Sequence, residues 1–160
     1  MLVTMVVEIP RGSRNKYETD PRTGRVYLDR MLFTATRYPA DYGYIPDTTA
    51  EDGDPLDAMA LVGEPTFPGC HIRIRPVGLF LMEDQGLPDH KVLGVPVRDP
   101  VWGSVDDIHG LPTHLLREFE HFFSVYKDLE DKKTASRGWE GAAAAMKVLV
   151  AAGATLEDES

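Results

Sequence analysis

Three aspartates crowd one short stretch, Asp-Gly-Asp-Pro-Leu-Asp at residues 52–57. Like charges this close repel one another, and the glycine and proline forbid a regular helix. On an extended segment, residues two apart point to the same side, so Asp52 and Asp54 can converge. Asp57 opens the apolar run "DAMALV". Converging carboxylates are costly unless a cation neutralises them. Hard oxygen donors suit Mg²⁺ or Mn²⁺. The bland alternative is a solvated acidic turn, and the stretch alone does not choose between them.

Two other acidic motifs fail on spacing. A calcium EF-hand loop needs an acid at its fifth position and a glycine at its sixth. Here those positions hold Leu56 and Asp57. An aspartyl phosphatase needs its Asp-x-Asp at the end of an apolar strand, and the preceding "IPDTTAE" is turn-like.

A second acidic group, Glu83, Asp84 and Asp89 with Lys91, lies in "MEDQGLPDHKV". Glu83 reads as hairpin decoration; Asp84 and Asp89 can form a wall facing the first cluster. Cations recur beside apolar runs at Lys16, Arg30 and Lys127. Tyr42 and Tyr126 offer hydroxyls on packing side chains. Carboxylates hold metals, and lysine, arginine and tyrosine hold phosphate oxygens. Together they suit phosphoryl transfer to water.

These residues must be positioned by sheet and helix. Up to about residue 110, short β-like runs alternate with Gly/Pro/Asp turns. "LVTMVVEI" predicts a strand, and "KYETDPRTGRVYLDR" a hairpin turning at "DPRTG". "DAMALV", "HIRIRPVGLFLM" and "KVLGVPV" predict further strands, with an edge or a bulge at Pro76. Such spacing points to a small closed barrel. Then Leu115, Leu116, Phe119, Phe122, Phe123, Tyr126 and Leu129 form one stripe at helical spacing. Pro112 suits the first turn of that helix. "GWEGAAAAMKVLVAAG" predicts a second helix, weakened by Gly141 and stopped at Gly153. The tail "ATLEDES" reads as frayed. The expected architecture is α+β and mainly β: one domain over residues 1–160, with a barrel over about 1–110 and helices over about 111–153.

Composition narrows the function. The chain has 160 residues, 42% of them hydrophobic, and a formal net charge of −9. That charge repels nucleic acid and anionic membranes. The one cysteine, Cys70, permits no internal disulfide and fits a reducing compartment. The N-terminal apolar run is too short for a signal peptide or a membrane span. The expected location is the cytoplasm, with no membrane and no nucleic-acid partner.

The motifs also occur in a familiar order. "VEIPRGSRNKYE", "LDR" at 28–30, "YPADYGYIPDT" at 38–48, "DGDPLD", "RPVG" at 75–78 and "HFFSVYKDLE" at 121–130 resemble the family I soluble inorganic pyrophosphatases of bacteria. The resemblance covers roughly residues 5 to 140. It implies a five-stranded OB-like barrel with flanking helices, and a homohexamer. It implies that Asp52, Asp57 and Asp89 ligate core metals. Asp84 joins Asp89 on a further metal, and Glu8 stands near the site as an additional acidic ligand or just behind the ligands. Lys16, Arg30, Tyr42, Tyr126 and Lys127 bind phosphate, with Lys91 beside them. Glu18 and Tyr38 line the site. Several Mg²⁺ ions per site are implied, with Mn²⁺ or Zn²⁺ as substitutes.

The implied reaction is hydrolysis of inorganic diphosphate to two orthophosphates by direct attack of a metal-bridged hydroxide. Asp54 is its proton acceptor and Asp89 the second candidate. Cys70 and the five histidines carry no role. The chain departs from the family pattern over "DKKTASRGWEG", which is short and lacks the valines of a strand. One phosphate-side lysine there is unplaced, with Lys132 or Lys133 as substitutes. Two other functions are weaker: a nucleotide or polyphosphate hydrolase, for which no base-stacking platform is visible, and a nucleic-acid-binding OB module, which the charge opposes.

Overall fold

The computed structural model describes residues 1–130, 132 and 134–159. Among them the order is β1 (Leu2–Ile9), β2 (Asn15–Thr19), β3 (Val26–Met31), β4 (Asp41–Tyr44), β5 (Asp57–Ala60), β6 (His71–Asp84), β7 (Leu87–Pro88) and β8 (Lys91–Pro96). Then come α1 (Thr113–Val125), β9 (Thr134–Gly141), α2 (Ala142–Ala151) and β10 (Leu156–Glu157). Strand β1 pairs with β4, β4 with β5, β5 with β8, β8 with β6, and β6 again with β1. Five strands thus close a ring, as expected for an OB-like barrel. The β5–β8 pair is parallel and the other four are antiparallel.

The ring strands are apolar on both faces because each face meets a core. Met59, Leu93, Val95, Phe80 and Met82 pack with Phe119, Phe122 and Phe123 of α1. Their neighbours Ala58, Val92 and Leu79 pack with Ala145 and Leu149 of α2. Period-2 alternation therefore sorts side chains between two cores rather than between core and water. Each buried phenylalanine of α1 contributes about 2–3 kcal/mol of apolar burial. Two irregularities re-aim side chains. A register shift between Val7 and Ile9 moves Ile9 into the α1 core. The bulge at Pro76 lies between β6 and β8; β6 itself is a central strand and not an edge.

Helix α1 starts directly after Pro112, which sits at its N-cap. Tyr126 keeps helical backbone angles at the C-cap, and its N–H donates to the Phe122 carbonyl. The helical phase thus carries Tyr126 onto the buried face. Leu129, the last member of the expected stripe, is exposed, because the chain has tightened into a 3-10 turn at Asp128–Glu130.

Two expectations fail. Residues 134–141 form β9, and the second helix begins at Ala142, four residues later than the sequence suggests. Strand β9 lies antiparallel along Gly78–Asp84 of β6. The partner strand supplies its hydrogen bonds, so weak local propensity is overridden. The described part of the tail is not frayed. Leu156 and Glu157 pair with β1, and Glu159 forms an ion pair with Arg75.

Candidate active site

The acidic and cationic residues singled out from the sequence converge mainly on one cleft of about 460 Å³. Glu8 reaches it from β1, Lys16 and Glu18 from β2, and Tyr42 from β4. Asp52, Asp54 and Asp57 come from the loop into β5, Asp84 and Asp89 from around the β6–β7 turn, and Tyr126 and Lys127 from the end of α1. Tyr38 completes the wall.

Local structure explains each placement. The 50–54 segment is a turn, not the extended segment expected: the Gly53 N–H donates to the Ala50 carbonyl, and Gly53 has φ 87°. A glycine takes that angle without strain. The Asp54 N–H donates to Asp52 Oδ1 at 3.0 Å. That bond holds the turn, and the Asp54 carboxylate accepts no hydrogen bond among the described residues. Gly43 lets β4 press against β1, since a Cβ there would stand 1.8 Å from the Val6 carbonyl oxygen. Tyr42 and Tyr44 flank it on one side of the strand and both line the cleft. Glu8 accepts the Thr19 N–H at 2.7 Å, tying β2 to β1.

The floor is a buried ion cluster. Asp57 and Lys91 stand in register across β5 and β8. The Lys91 Nζ donates to Asp57 Oδ2 at 2.9 Å, Asp89 Oδ2 at 3.1 Å and Tyr42 Oη at 3.0 Å. Tyr42 Oη in turn donates to Asp57 Oδ2 at 2.9 Å. Lys91 is 1% exposed and does not line the cleft. The structure thus makes it a direct partner of the acids.

Electrostatics follow from this packing. Burial pushes the Asp57 carboxyl up, but the Lys91 charge and hydrogen bond outweigh that and hold it below its usual value. Burial pushes Asp89 well up; Lys91 opposes the rise and the Asp57 charge adds to it. Two neighbouring carboxylates cannot both ionise easily. Glu8 is also raised, chiefly by burial. Burial lowers Lys127, against the pull of Asp84 at 3.4 Å.

No three acidic, histidine or cysteine side chains among the described residues form a closed metal cage. The donor chemistry nonetheless fits a hard divalent cation. Seven carboxylates line the cleft. Asp84 Oδ1 is buried with no hydrogen-bond partner among the described residues. That orphaned oxygen and the raised Asp89 and Glu8 carboxyls mark negative charge short of positive partners.

A family model described as inorganic pyrophosphatase matches residues 5–157. The chain belongs to the inorganic pyrophosphatase family. It is 51% identical over 154 residues to the inorganic pyrophosphatase of Leifsonia xyli, covering 96% of this chain and 94% of that one. It is 52% identical over 138 residues to that of Streptomyces coelicolor, covering 86% and 85%. The solved inorganic pyrophosphatase of Thermus thermophilus superposes with a TM-score of 0.90 at 45% identity, covering 94% of this chain and 88% of that one. The Helicobacter pylori inorganic pyrophosphatase gives 0.91 at 40% identity, covering 94% and 91%. The family match runs on through α2 and into β10, past residue 140, where the motif resemblance stops.

Within this pyrophosphatase fold, two nominated cations, Lys91 and Arg30, are not among the residues that line the cleft. Lys91 lies beneath it. Arg30 is held at its side by Glu130 and Asp29. Lys132 is exposed, and Lys133 lies outside the described residues. Sequence reasoning missed Tyr44, Thr19 and Pro21, which also line the cleft. Tyr44 had a usable signal, its spacing of two from Tyr42. Cys70 and the histidines stay away from the cleft; His90 Nδ1 accepts the Met82 N–H.

Proposed function

We propose that the protein hydrolyses inorganic diphosphate to two orthophosphates with Mg²⁺, water attacking phosphorus directly. The observation that carries this reading is the cleft itself: seven carboxylates share one lining with Lys16, Lys127, Tyr42 and Tyr126. Asp52, Asp57 and Asp89 would hold the core cations, with Asp84 and Glu8 available for others. Bound divalent cations would supply Lewis acidity and neutralise phosphate charge.

The protein's own groups do the rest. Asp54, whose carboxylate is uncommitted, takes the proton of the attacking water; Asp89, with its raised proton affinity, is the alternative acceptor. Lys16 and Lys127 bind phosphate oxygens and stabilise the departing orthophosphate. Tyr126, buried against Phe122 and Phe123, presents its hydroxyl from a rigid aromatic wall. Glu18 keeps Lys16 oriented through a 3.1 Å contact. Lys91 balances the charge of Asp57 and Asp89 from below, through hydrogen bonds to both.

We read the protein as cytoplasmic, given its single cysteine, and as a homohexamer. No described helix is long and apolar enough to cross a membrane. Exposed Leu28, Met31 and Phe33 on and beside β3 support association between copies. Light scattering tests the assembly. Phosphate release from diphosphate with Mg²⁺, inhibited by fluoride, tests the activity. Absence of release across several divalent metals overturns it.

A further inference from the structure

The β2–β3 hairpin is not part of the ring; its two strands form a sheet of their own. Both strands are mostly half-buried or exposed. Yet the hairpin carries two nominated phosphate cations, Lys16 and Arg30, as cross-strand partners. Packing alone fixes neither firmly, because long cationic side chains on a thin sheet retain rotamer freedom.

A carboxylate from the far end of the chain supplies the missing restraint. Arg30 Nε donates to Glu130 Oε1 at 2.6 Å, and Arg30 Nη2 donates to Glu130 Oε2 at 2.9 Å. This is a two-pronged fork, the geometry that sets a guanidinium plane. The Glu130 side chain is 10% exposed, so water competes poorly for it. Glu130 closes the 3-10 turn that follows Tyr126 and Lys127, and its N–H donates to the Lys127 carbonyl at 3.0 Å. Asp29 extends the link, contacting Arg30 Nη1 and lying 3.5 Å from Lys16 Nζ. An arginine has five N–H donors. The fork and Asp29 take three and leave two for an incoming anion.

The geometry points to Glu130 as a positioning residue: it aims Arg30, and through Asp29 Lys16, so that hairpin and helix end present one cationic rim to phosphate. The assignment takes its substrate from the diphosphate reading above. The Arg30 hydrogen bond also holds the Glu130 carboxyl below its usual value, so the clamp stays charged across the working pH range.

The test compares wild type, Glu130→Gln, Arg30→Lys and the double variant, all with Mg²⁺. Two readouts are taken: KM and kcat for diphosphate, and the affinity for inorganic phosphate by calorimetry. Glu130→Gln is expected to raise KM about 10-fold and weaken phosphate by a similar factor. Its kcat should change less than about 3-fold and its melting temperature little. In the Arg30→Lys background the same substitution should add almost nothing, since Glu130 acts through the fork. An unchanged KM and phosphate affinity overturns the assignment. So do effects of Glu130→Gln and Arg30→Lys that simply multiply. An inactive wild type that still binds phosphate defeats the diphosphate reading alone, and the calorimetric cycle then decides the clamp.

Discussion

Lys91 and Asp57 face each other across the only parallel strand pair of the ring, their charged atoms 2.9 Å apart, and Asp89 and Tyr42 share the same ammonium. One buried cation thus anchors two carboxylates proposed as metal ligands. This pairing separates their roles from that of Asp54, which hangs from an exposed turn with its carboxylate uncommitted.

Replacing Lys91 strands two acids in a poorly solvated floor. Lys91→Met should destabilise the metal-free protein by about 3–5 kcal/mol, the usual cost of breaking a buried ion pair on one side. Added Mg²⁺ should recover part of the loss by supplying the missing positive charge. Urea denaturation with EDTA and with Mg²⁺ measures both. Equal stability of variant and wild type in EDTA would show that Lys91 is not the balancing charge.

Asp54→Asn should fold as wild type, because the Asp54 bond that holds the turn comes from its backbone N–H. Turnover should fall by about 10²–10⁴, the range for a lost general base. A phosphate-release assay decides it. Full activity would move the proton to Asp89.

Tyr42→Phe removes a hydroxyl that donates to Asp57 and accepts from Lys91. Hydrogen bonds to charged groups are worth about 1.5–3 kcal/mol. The variant should lose stability in that range in EDTA, read by urea denaturation. A loss below about 0.5 kcal/mol would mean that Lys91 and Asp57 satisfy each other without it.

Asp107 caps two elements at once. It accepts the Ala142 N–H at 2.8 Å at the start of α2, and the His109 N–H at 3.3 Å. The Ala142 bond is the main cause of a carboxyl held below its usual value of 3.8. A lowered native value means that the ionised form stabilises the fold. That contribution is complete above the unfolded value and is lost as pH falls through the native one. Asp107→Ala should cost about 1 kcal/mol at pH 7. The gap to wild type should narrow once the pH drops below the ordinary aspartate range. Denaturation curves at neutral and strongly acidic pH test the sign; a gap that widens in acid would refute it.

Much of the fold was visible in local pattern. The β2–β3 hairpin announced itself through "DPRTG", and α1 through Phe119, Phe122, Phe123 and Tyr126 at helical spacing. The strand 134–141 did not, because "TASRGWEG" has two glycines and almost no β-branched residues; its partner on β6 makes it a strand. The pinned tail was hidden for the same reason, since Glu159 meets an arginine 84 residues away.

For the site, spacing and residue type alone nominated Asp52, Asp54, Asp57, Asp84 and Asp89 for metal and phosphate chemistry, and the ordered motifs pointed to the family. Only the tertiary structure decided how those residues divide. It set Lys91 beneath the acids, outside the cleft lining, and bound Arg30 to Glu130 across 100 residues. Local sequence encodes periodicity and charge type, which act over a few residues. Which charge neutralises which depends on distances that exist only after the ring has closed and α1 has docked on it.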